Sequence, residues 1–354
     1  MNKKIVIGIS GGVDSSVCAA LLKQQGYDII GAVIKVWHEN ENAFDTGDAF
    51  ADIYRDALAV CEHIGIPLHI IDCAEDFRRK IVDYFADAYM HGRTPNPCAR
   101  CNPQIKFKAL AAFADSVGAE HIATGHYAHI EQDAQSGRWI IRRSAADKKD
   151  QTYFLYALPQ SILSRIIMPL SNMDKPQVRS IAAELGIPVA QKPDSQEICF
   201  LENDYVDFIA QYTGKSPIPG HFIDTDGNIL GTHLGIIHYT IGQRKGLGIS
   251  FGKPMFVTAI NPVANTVTLG EAGSEFTDRL TVRNVNYIAC ADITEPIRAQ
   301  VKTRHGAKPA PATITPLPNS DLSVVFDAPI RAVTPGQAAV FYNDEVMLGG
   351  GEIL

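Results

Sequence analysis

The sequence predicts an α/β protein: a doubly wound parallel sheet at the N-terminus, then a small β-rich central domain and a C-terminal β-barrel. Three observations carry this reading. Apolar strand runs alternate with amphipathic helix patterns through the first third of the chain, and a Ser/Gly loop joins the first strand to the first helix. Beyond Gly214 helical periodicity gives way to short strands between Gly, Asn and Pro turns. Lys3–Ile9 is the first strand, Asp14–Gln25 a helix closed by Gly26, Asp28–Trp37 the second strand and Ala49–Ile64 the second helix. Pro67–Cys73 is a third strand, followed by the long amphipathic helix Glu75–Met90. A turn-rich segment, His91–Pro103, then leads to a helix over Ile105–Val117 and a strand at His121–Thr124. Right-handed crossovers in such a series line up the loops after the strands along one sheet edge, where ligands bind. Asp150–Gly186 reads as mainly helical, with Asp174–Leu185 the clearest helix, and Gln191–Phe200 as a polar connector. Gly220–Asp224, Ile236–Ile241, Met255–Ile260 and Thr266–Leu269 read as strands of the central unit. Ala299–Thr303, Ala312–Thr315, Ser323–Phe326 and Ala338–Tyr342 read as strands of the barrel. The expected domains are 1–203, 204–278 and 279–354.

At 354 residues, 46% hydrophobic and 20% charged, the chain can bury a core without disulfides, and wholesale disorder is excluded. Its apolar runs fall far short of a membrane span and its Met-Asn-Lys-Lys start carries no signal-peptide pattern. A cytoplasmic protein with no membrane partner is expected. A net charge of −7 opposes nucleic-acid binding in general, so such a partner needs local basic patches. Arg138–Lys149 and Arg298–Lys308 supply two, Arg100–Lys108 and Arg244–Lys253 smaller ones. The odd count of seven cysteines argues against a disulfide framework. Cys18, Cys61 and Cys73 sit in apolar patterns and read as buried small hydrophobes, whereas Cys98, Cys101 and Cys199 lie in polar, turn-rich contexts that call for another reason.

Gly8, Ile9, Ser10, Gly11, Gly12, Val13, Asp14 and Ser15 form the turn between the first strand and helix. Its glycines let backbone N–H groups approach an anion, and the helix adds its positive end. A carboxylate among phosphates fits if Asp14 holds Mg²⁺, which shares oxygen ligands with phosphates. The turn has neither the Lys of a Walker A loop nor a Gly-x-Gly-x-x-Gly pattern. Ser-Gly-Gly-x-Asp-Ser at this junction resembles the PP-loop of the ATP pyrophosphatases. That likeness implies ATP cleavage between the α- and β-phosphates and adenylation of a substrate oxygen.

An adenylated oxygen is a leaving group awaiting a nucleophile, and a thiolate is one. Cys98 and Cys101 lie in a Pro-braced loop, with Arg100 and Lys106 placed to favour the thiolate, and Cys199 lies in the connector. Zinc would need two further ligands, His91 or His126 being the nearest. An iron–sulfur cluster on the three cysteines is a second reading, and thiol–persulfide chemistry a third.

Several segments match one family: the phosphate loop, Arg93–Lys108 with Thr-Pro-Asn-Pro and Cys-Asn-x-x-Ile-Lys-Phe-Lys, and Ala123-Thr-Gly-His-Tyr127. So do Lys149-Asp150-Gln151, Asp194-Ser-Gln-Glu-Ile-Cys-Phe200 and Thr240-Ile-Gly-Gln-Arg-Lys-Gly-Leu-Gly248. Over essentially its whole length the chain resembles the tRNA-specific 2-thiouridylases, the MnmA family. The resemblance implies ATP- and Mg²⁺-dependent thiolation of the wobble uridine of tRNA for Lys, Glu or Gln, with sulfur from a relay protein or a cysteine desulfurase. It implies a persulfide on Cys199, a partner nucleophile in Cys101, and a transient disulfide between them. It puts Gly8–Ser15, Ile34 and Gly125 on the nucleotide. Asn96, Pro97 and Cys98 would lie against the flipped base, and His126, Lys149, Asp150, Gln151, Arg304, His305 and Gln337 on the tRNA. The chain departs from the family pattern at Cys98, where many members carry Asp, and at His305, which often reads Tyr. Two rival functions are a PP-loop amine ligase, which leaves Cys101 and Cys199 idle, and a non-catalytic tRNA-binding module, at odds with an intact phosphate loop.

Overall fold

The computed structural model describes residues 3–37, 49–144, 150–193, 198–201 and 204–354. The N-terminal sheet is built from β1 (Lys4–Gly8), β2 (Asp28–Lys35), β3 (Leu68–Asp72) and β4 (His121–Ala123). A hairpin, β5 (His129–Gln132) and β6 (Trp139–Arg142), then precedes the sheet's last strand, β7 (Ile166–Ile167). The spatial order is β3-β2-β1-β4-β7, parallel throughout. Residues Ile5, Val6 and Ile7 of β1 are all fully buried, because a strand covered on both faces has no solvent side to alternate with. Ile5 and Ile7 pack with α1 (Val13–Gln24), α2 (Ala49–Ile64) and a later helix carrying Val178 and Ala182, while Val6 packs on the opposite face with Phe107 and Leu110. The doubly wound expectation holds.

The helix expected over Glu75–Met90 is α3 (Ala74–Phe77), a π-turn over Arg78–Val82, and α4 (Asp83–Met90). His91–Pro103, expected as turns, contains α5 (Pro97–Cys101), which runs through a second π-turn, Asn102–Lys106, into α6 (Phe107–Ser116). Asp150–Gly186 is less helical than its pattern: a 3₁₀ turn at Thr152–Phe154, α7 (Gln160–Leu163) and β7 precede α8 (Lys175–Glu184).

Helix α9 (Tyr205–Thr213), capped by Asp204 and stopped by left-handed Gly214, leads into the central sheet. That sheet has β8 (Gly220–Ile223), β9 (Ile229–His233), β10 (Met255–Asn261) and β11 (Thr266–Glu271), in order β10-β11-β8-β9. The strand expected at Ile236–Ile241 is instead a 3₁₀ turn, Ile236–His238, entered through Gly235 at φ 131°. Its apolar residues Ile236, Ile237 and Tyr239 plug a core cluster rather than join a ladder.

The C-terminal strands β12 (Phe276–Tyr287), β13 (Ile297–Lys302), β14 (Ala310–Pro316), β15 (Leu322–Arg331), β16 (Ala338–Asn343) and β17 (Val346–Ile353) run in order β12-β15-β14-β13-β16-β17. Pairing of β12 with β17 closes them into an antiparallel barrel. Strand β6 also pairs with β17, so the β5–β6 hairpin extends the barrel's sheet. Among the described residues no helix is long and apolar enough to cross a membrane.

Candidate active site

The strand order reverses at β1, whose neighbours are β2 and β4, so a crevice opens beyond the carboxyl ends of β1 and β4. The phosphate loop lies there. Gly11 is left-handed at φ 68°, and a Cβ on it would stand 2.9 Å from the Ile53 carbonyl of α2. Gly12 precedes α1 with extended backbone and no side-chain cap, leaving the helix's first N–H groups for a ligand. The Ser10 N–H donates to Ser15 Oγ at 3.1 Å, and the Ser16 hydroxyl donates to the Gly12 carbonyl at 2.8 Å, which fixes the loop before any anion arrives. Ile9 is tied to β2 through its N–H and the Ala32 carbonyl at 2.8 Å, and Val13 is buried. Gly125, just past β4, lies so close that a Cβ would meet Ser15 N at 2.7 Å. Ile34, near the end of β2, is half-buried between two core clusters. The expected nucleotide residues thus converge on one edge.

Asp14 is engaged on a single oxygen, Oδ1, by the Tyr127 hydroxyl and by Lys175 Nζ, each at 2.7 Å. Neither partner was expected from the sequence. Lys175 is the first residue of α8, held by a capping box in which Asp174 and Gln177 exchange side-chain bonds with each other's N–H groups. The Asp-Lys-Pro-Gln cap was legible, but the direction of the lysine was not.

The second half of the site is the cysteine helix. Asn96 caps α5, its Oδ1 accepting from the Ala99 N–H at 3.1 Å, and Pro97 follows at the first helical position, where its missing N–H costs nothing. Cys98 is exposed and Cys101 buried, one turn apart on the same short helix. Burial pushes the Cys101 thiol up to about 12; Lys106 pulls it down while Cys199 and Cys98 raise it. Burial alone would lower the Lys106 ammonium, and the sulfurs of Cys101, Cys199 and Cys98 reverse that, leaving it raised. The three thiols therefore stand within electrostatic reach of one cation and of one another. Cys199 keeps solvent contact, yet enough chain surrounds it for burial to raise its thiol. Its neighbour Phe200 is the anchor, its ring 5.7 Å from Phe77, 5.2 Å from Phe85 and 5.5 Å from Phe208, in the cluster that also holds Cys101. Arg100, expected to favour a thiolate, turns away: its Nε donates to the Lys80 carbonyl at 3.0 Å and its guanidinium lies over the Tyr84 ring. The Lys80 carbonyl lies inside the first π-turn, where i→i−4 bonding is broken and a carbonyl can take an outside donor.

His126 lies beside Phe107, its Nδ1 2.8 Å from the Thr124 hydroxyl; burial, helped by the Lys106 charge, pushes it down to about 3, so the ring is neutral at working pH. Asp150 is buried, accepting from the Thr152 hydroxyl at 2.9 Å with Arg143 3.9 Å away. Gln151 exchanges bonds with the Tyr127 backbone. Arg304 and His305 are exposed on the barrel, the His305 ring 4.6 Å from Phe154. Phe154 in turn accepts from Asn102, one residue past Cys101. Gln337 spends its amide on the Thr94 and Pro95 carbonyls. Lys149 lies outside the described residues. Much of the expected basic surface is already committed, Arg138 to the Tyr287 and Ile288 carbonyls, Arg142 to Glu131 and Arg298 to Asp327. Among the described residues no group of three or more His, Cys, Asp or Glu is arranged to hold a metal ion, and the three thiols as they stand do not fit a zinc or iron–sulfur site.

The model described as tRNA methyl transferase HUP domain matches residues 3–203. The tRNA methyl transferase PRC-barrel domain matches 206–271 and the aminomethyltransferase beta-barrel domain 277–353. A Clostridioides difficile (strain 630) protein named tRNA-specific 2-thiouridylase MnmA is 48% identical over 355 residues, covering 100% of this chain and 98% of its own length. A protein of the same name from Acetivibrio thermocellus is also 48% identical, over 99% of both chains. Among solved structures, a 4-thiouridine synthetase–RNA complex with bound ATP overlaps 59% of this chain and 50% of its own, at 19% identity and a TM-score of 0.36.

Proposed function

The chain belongs to the MnmA family of tRNA-specific 2-thiouridylases, and from that premise we propose that it thiolates the wobble uridine of tRNA for Lys, Glu or Gln at the expense of ATP. The observation that carries the chemistry is the grouping of Cys98 and Cys101 of α5 with Cys199 of the connector about the Lys106 ammonium, where α5 leads through the second π-turn into α6 against β1 and β4. Gly8–Ser15, Ile34 and Gly125 hold the nucleotide. Lys175 leaves Asp14 for the phosphates, which frees the carboxylate for the Mg²⁺ that accompanies them. Mg²⁺ supplies charge neutralisation on the phosphates; the chain's own donors do the positioning. Asn96, Pro97 and Cys98 face the extruded base, and Arg304, His305, His126 and Lys149–Gln151 flank the RNA.

The uridine O2 attacks the α-phosphorus and pyrophosphate leaves, so C2 carries an adenylate. A persulfide on Cys199, loaded by a sulfur-relay protein or a cysteine desulfurase, attacks C2 through its terminal sulfur. The Cys101 thiolate then attacks Cys199 Sγ. The S–S electron pair passes to the sulfur on C2, the C2–O bond breaks, AMP departs, and a Cys101–Cys199 disulfide remains for an external thiol to reduce. The test is single-turnover thiolation of substrate tRNA by persulfide-loaded protein, read as 2-thiouridine by nucleoside mass spectrometry. Cys199→Ser abolishes sulfur transfer but leaves the adenylation that releases pyrophosphate; Cys101→Ser stalls on a mixed disulfide between Cys199 and the tRNA. Full activity of Cys199→Ser favours the amine-ligase reading instead.

A further inference from the structure

Gln337 sits in the turn before β16, on the barrel, yet its bonds go to the catalytic segment. Its Nε2 donates to the Thr94 carbonyl at 3.0 Å and to the Pro95 carbonyl at 3.2 Å, while its Oε1 accepts from the Tyr153 hydroxyl at 3.5 Å. The same turn holds Thr94 by its backbone, whose N–H donates to the Pro335 carbonyl at 2.9 Å. A Cβ at Gly336 would stand 3.0 Å from the Thr94 oxygen, so the two segments lie in direct contact. Two residues past Thr94, Asn96 is the cap of the helix bearing Cys98 and Cys101. Pro95 and Pro97 have no N–H, so this stretch cannot zip into a ladder, and its carbonyls need donors from elsewhere. Among the described residues, the side chain that serves both is Gln337.

We propose that Gln337 is a positioning residue for the cysteine helix: through its amide the barrel fixes where Cys98 and Cys101 stand before RNA arrives. This role replaces the RNA contact that the family resemblance implies for Gln337, whose amide is already committed to Thr94 and Pro95, and only its activity readout rests on the proposed thiolation. Gln337→Glu is isosteric and removes both donors; Gln337→Met removes them without adding charge, and decides the matter if the first variant does not fold. The tRNA-free proteins are treated with iodoacetamide across a range of pH, and Cys98 and Cys101 are followed separately by peptide mass spectrometry. In both variants Cys101 becomes at least about fivefold more reactive and its rate profile moves to lower pH, because a loosened helix exposes the thiol. The kcat for thiolation falls about tenfold while tRNA affinity stays within about twofold, the signature of lost positioning. Wild-type alkylation profiles in folded variants overturn the proposal, and a selective loss of tRNA affinity then assigns Gln337 to the RNA. If the unaltered protein makes no 2-thiouridine, the proposed function fails while the thiol comparison still stands.

Discussion

Cys101 occupies surroundings that oppose its ionisation: it is buried, its thiol is pushed up to about 12, and the Lys106 ammonium is the charge that works the other way. At neutral pH the resting thiolate is therefore scarce, and in the proposed mechanism the residue stays silent until a sulfur adduct arrives to take its electrons. The alkylation rate of Cys101 in the free protein should climb about tenfold per pH unit from 7 to 10, tracking the thiolate fraction. Lys106→Met should lower that rate about tenfold further, one pKa unit's worth, and slow the proposed disulfide-forming step in proportion. A Cys101 that alkylates at pH 7.5 as fast as a small free thiol would refute this account. The sequence showed that Lys106 is near the cysteines in number, and the structure agrees. It misread Arg100, because adjacent residues of a helix point in different directions, and the Lys80 carbonyl and Tyr84 ring that draw Arg100 away belong to a segment distant in sequence.

The phosphate loop and the strands flanking it were legible, since each rests on local chemistry: glycine freedom and apolar runs. The cysteine helix reads as turns, because Pro95, Pro97 and its short length hide a helix that Asn96 caps. The two π-turns were not legible either. Each adds one residue per turn, and the i, i+3, i+4 pattern merely slips phase without breaking. The apolar run at Ile236–Ile241 misled for the converse reason, a strand-like composition serving as a buried plug. Loop architecture also makes a sharp prediction for β4 and the phosphate loop. Gly125→Ala drives a methyl to 2.7 Å from Ser15 N, into backbone that cannot step aside without disturbing α1's first turn. Its KM for ATP should rise at least about tenfold, since the anion's N–H donors are displaced, while tRNA binding measured without nucleotide is unchanged. Equal losses in both would mean that the substitution unfolds the edge rather than the nucleotide site.

At the scale of the whole molecule the three segments legible in the sequence share their cores. Val6 of β1 and Phe107 and Leu110 of α6 pack in one cluster with Ile288, Val340, Tyr342 and Met347 of the C-terminal segment. A second cluster joins Phe77, Phe85 and Cys101 to Phe222 and Val257 of the central sheet. The β5–β6 hairpin, which no local pattern announced, pairs with a strand more than half the chain length away, at Arg142 and Val346. Sequence periodicity reads faces within a segment; it has no access to which distant segment covers them. The four large C-terminal side chains in the first cluster represent roughly 6–10 kcal/mol of burial, about the whole stability of a typical domain. A truncated chain ending at residue 203 should therefore lose its fold even though it retains every strand of the parallel sheet and all three thiols. It should bind a hydrophobic dye and show no sharp thermal transition, whereas the full chain melts in a single step followed alike by far-UV and near-UV circular dichroism. If the truncated chain melts cooperatively within a few degrees of the full protein and binds ATP, the barrel is an appendage.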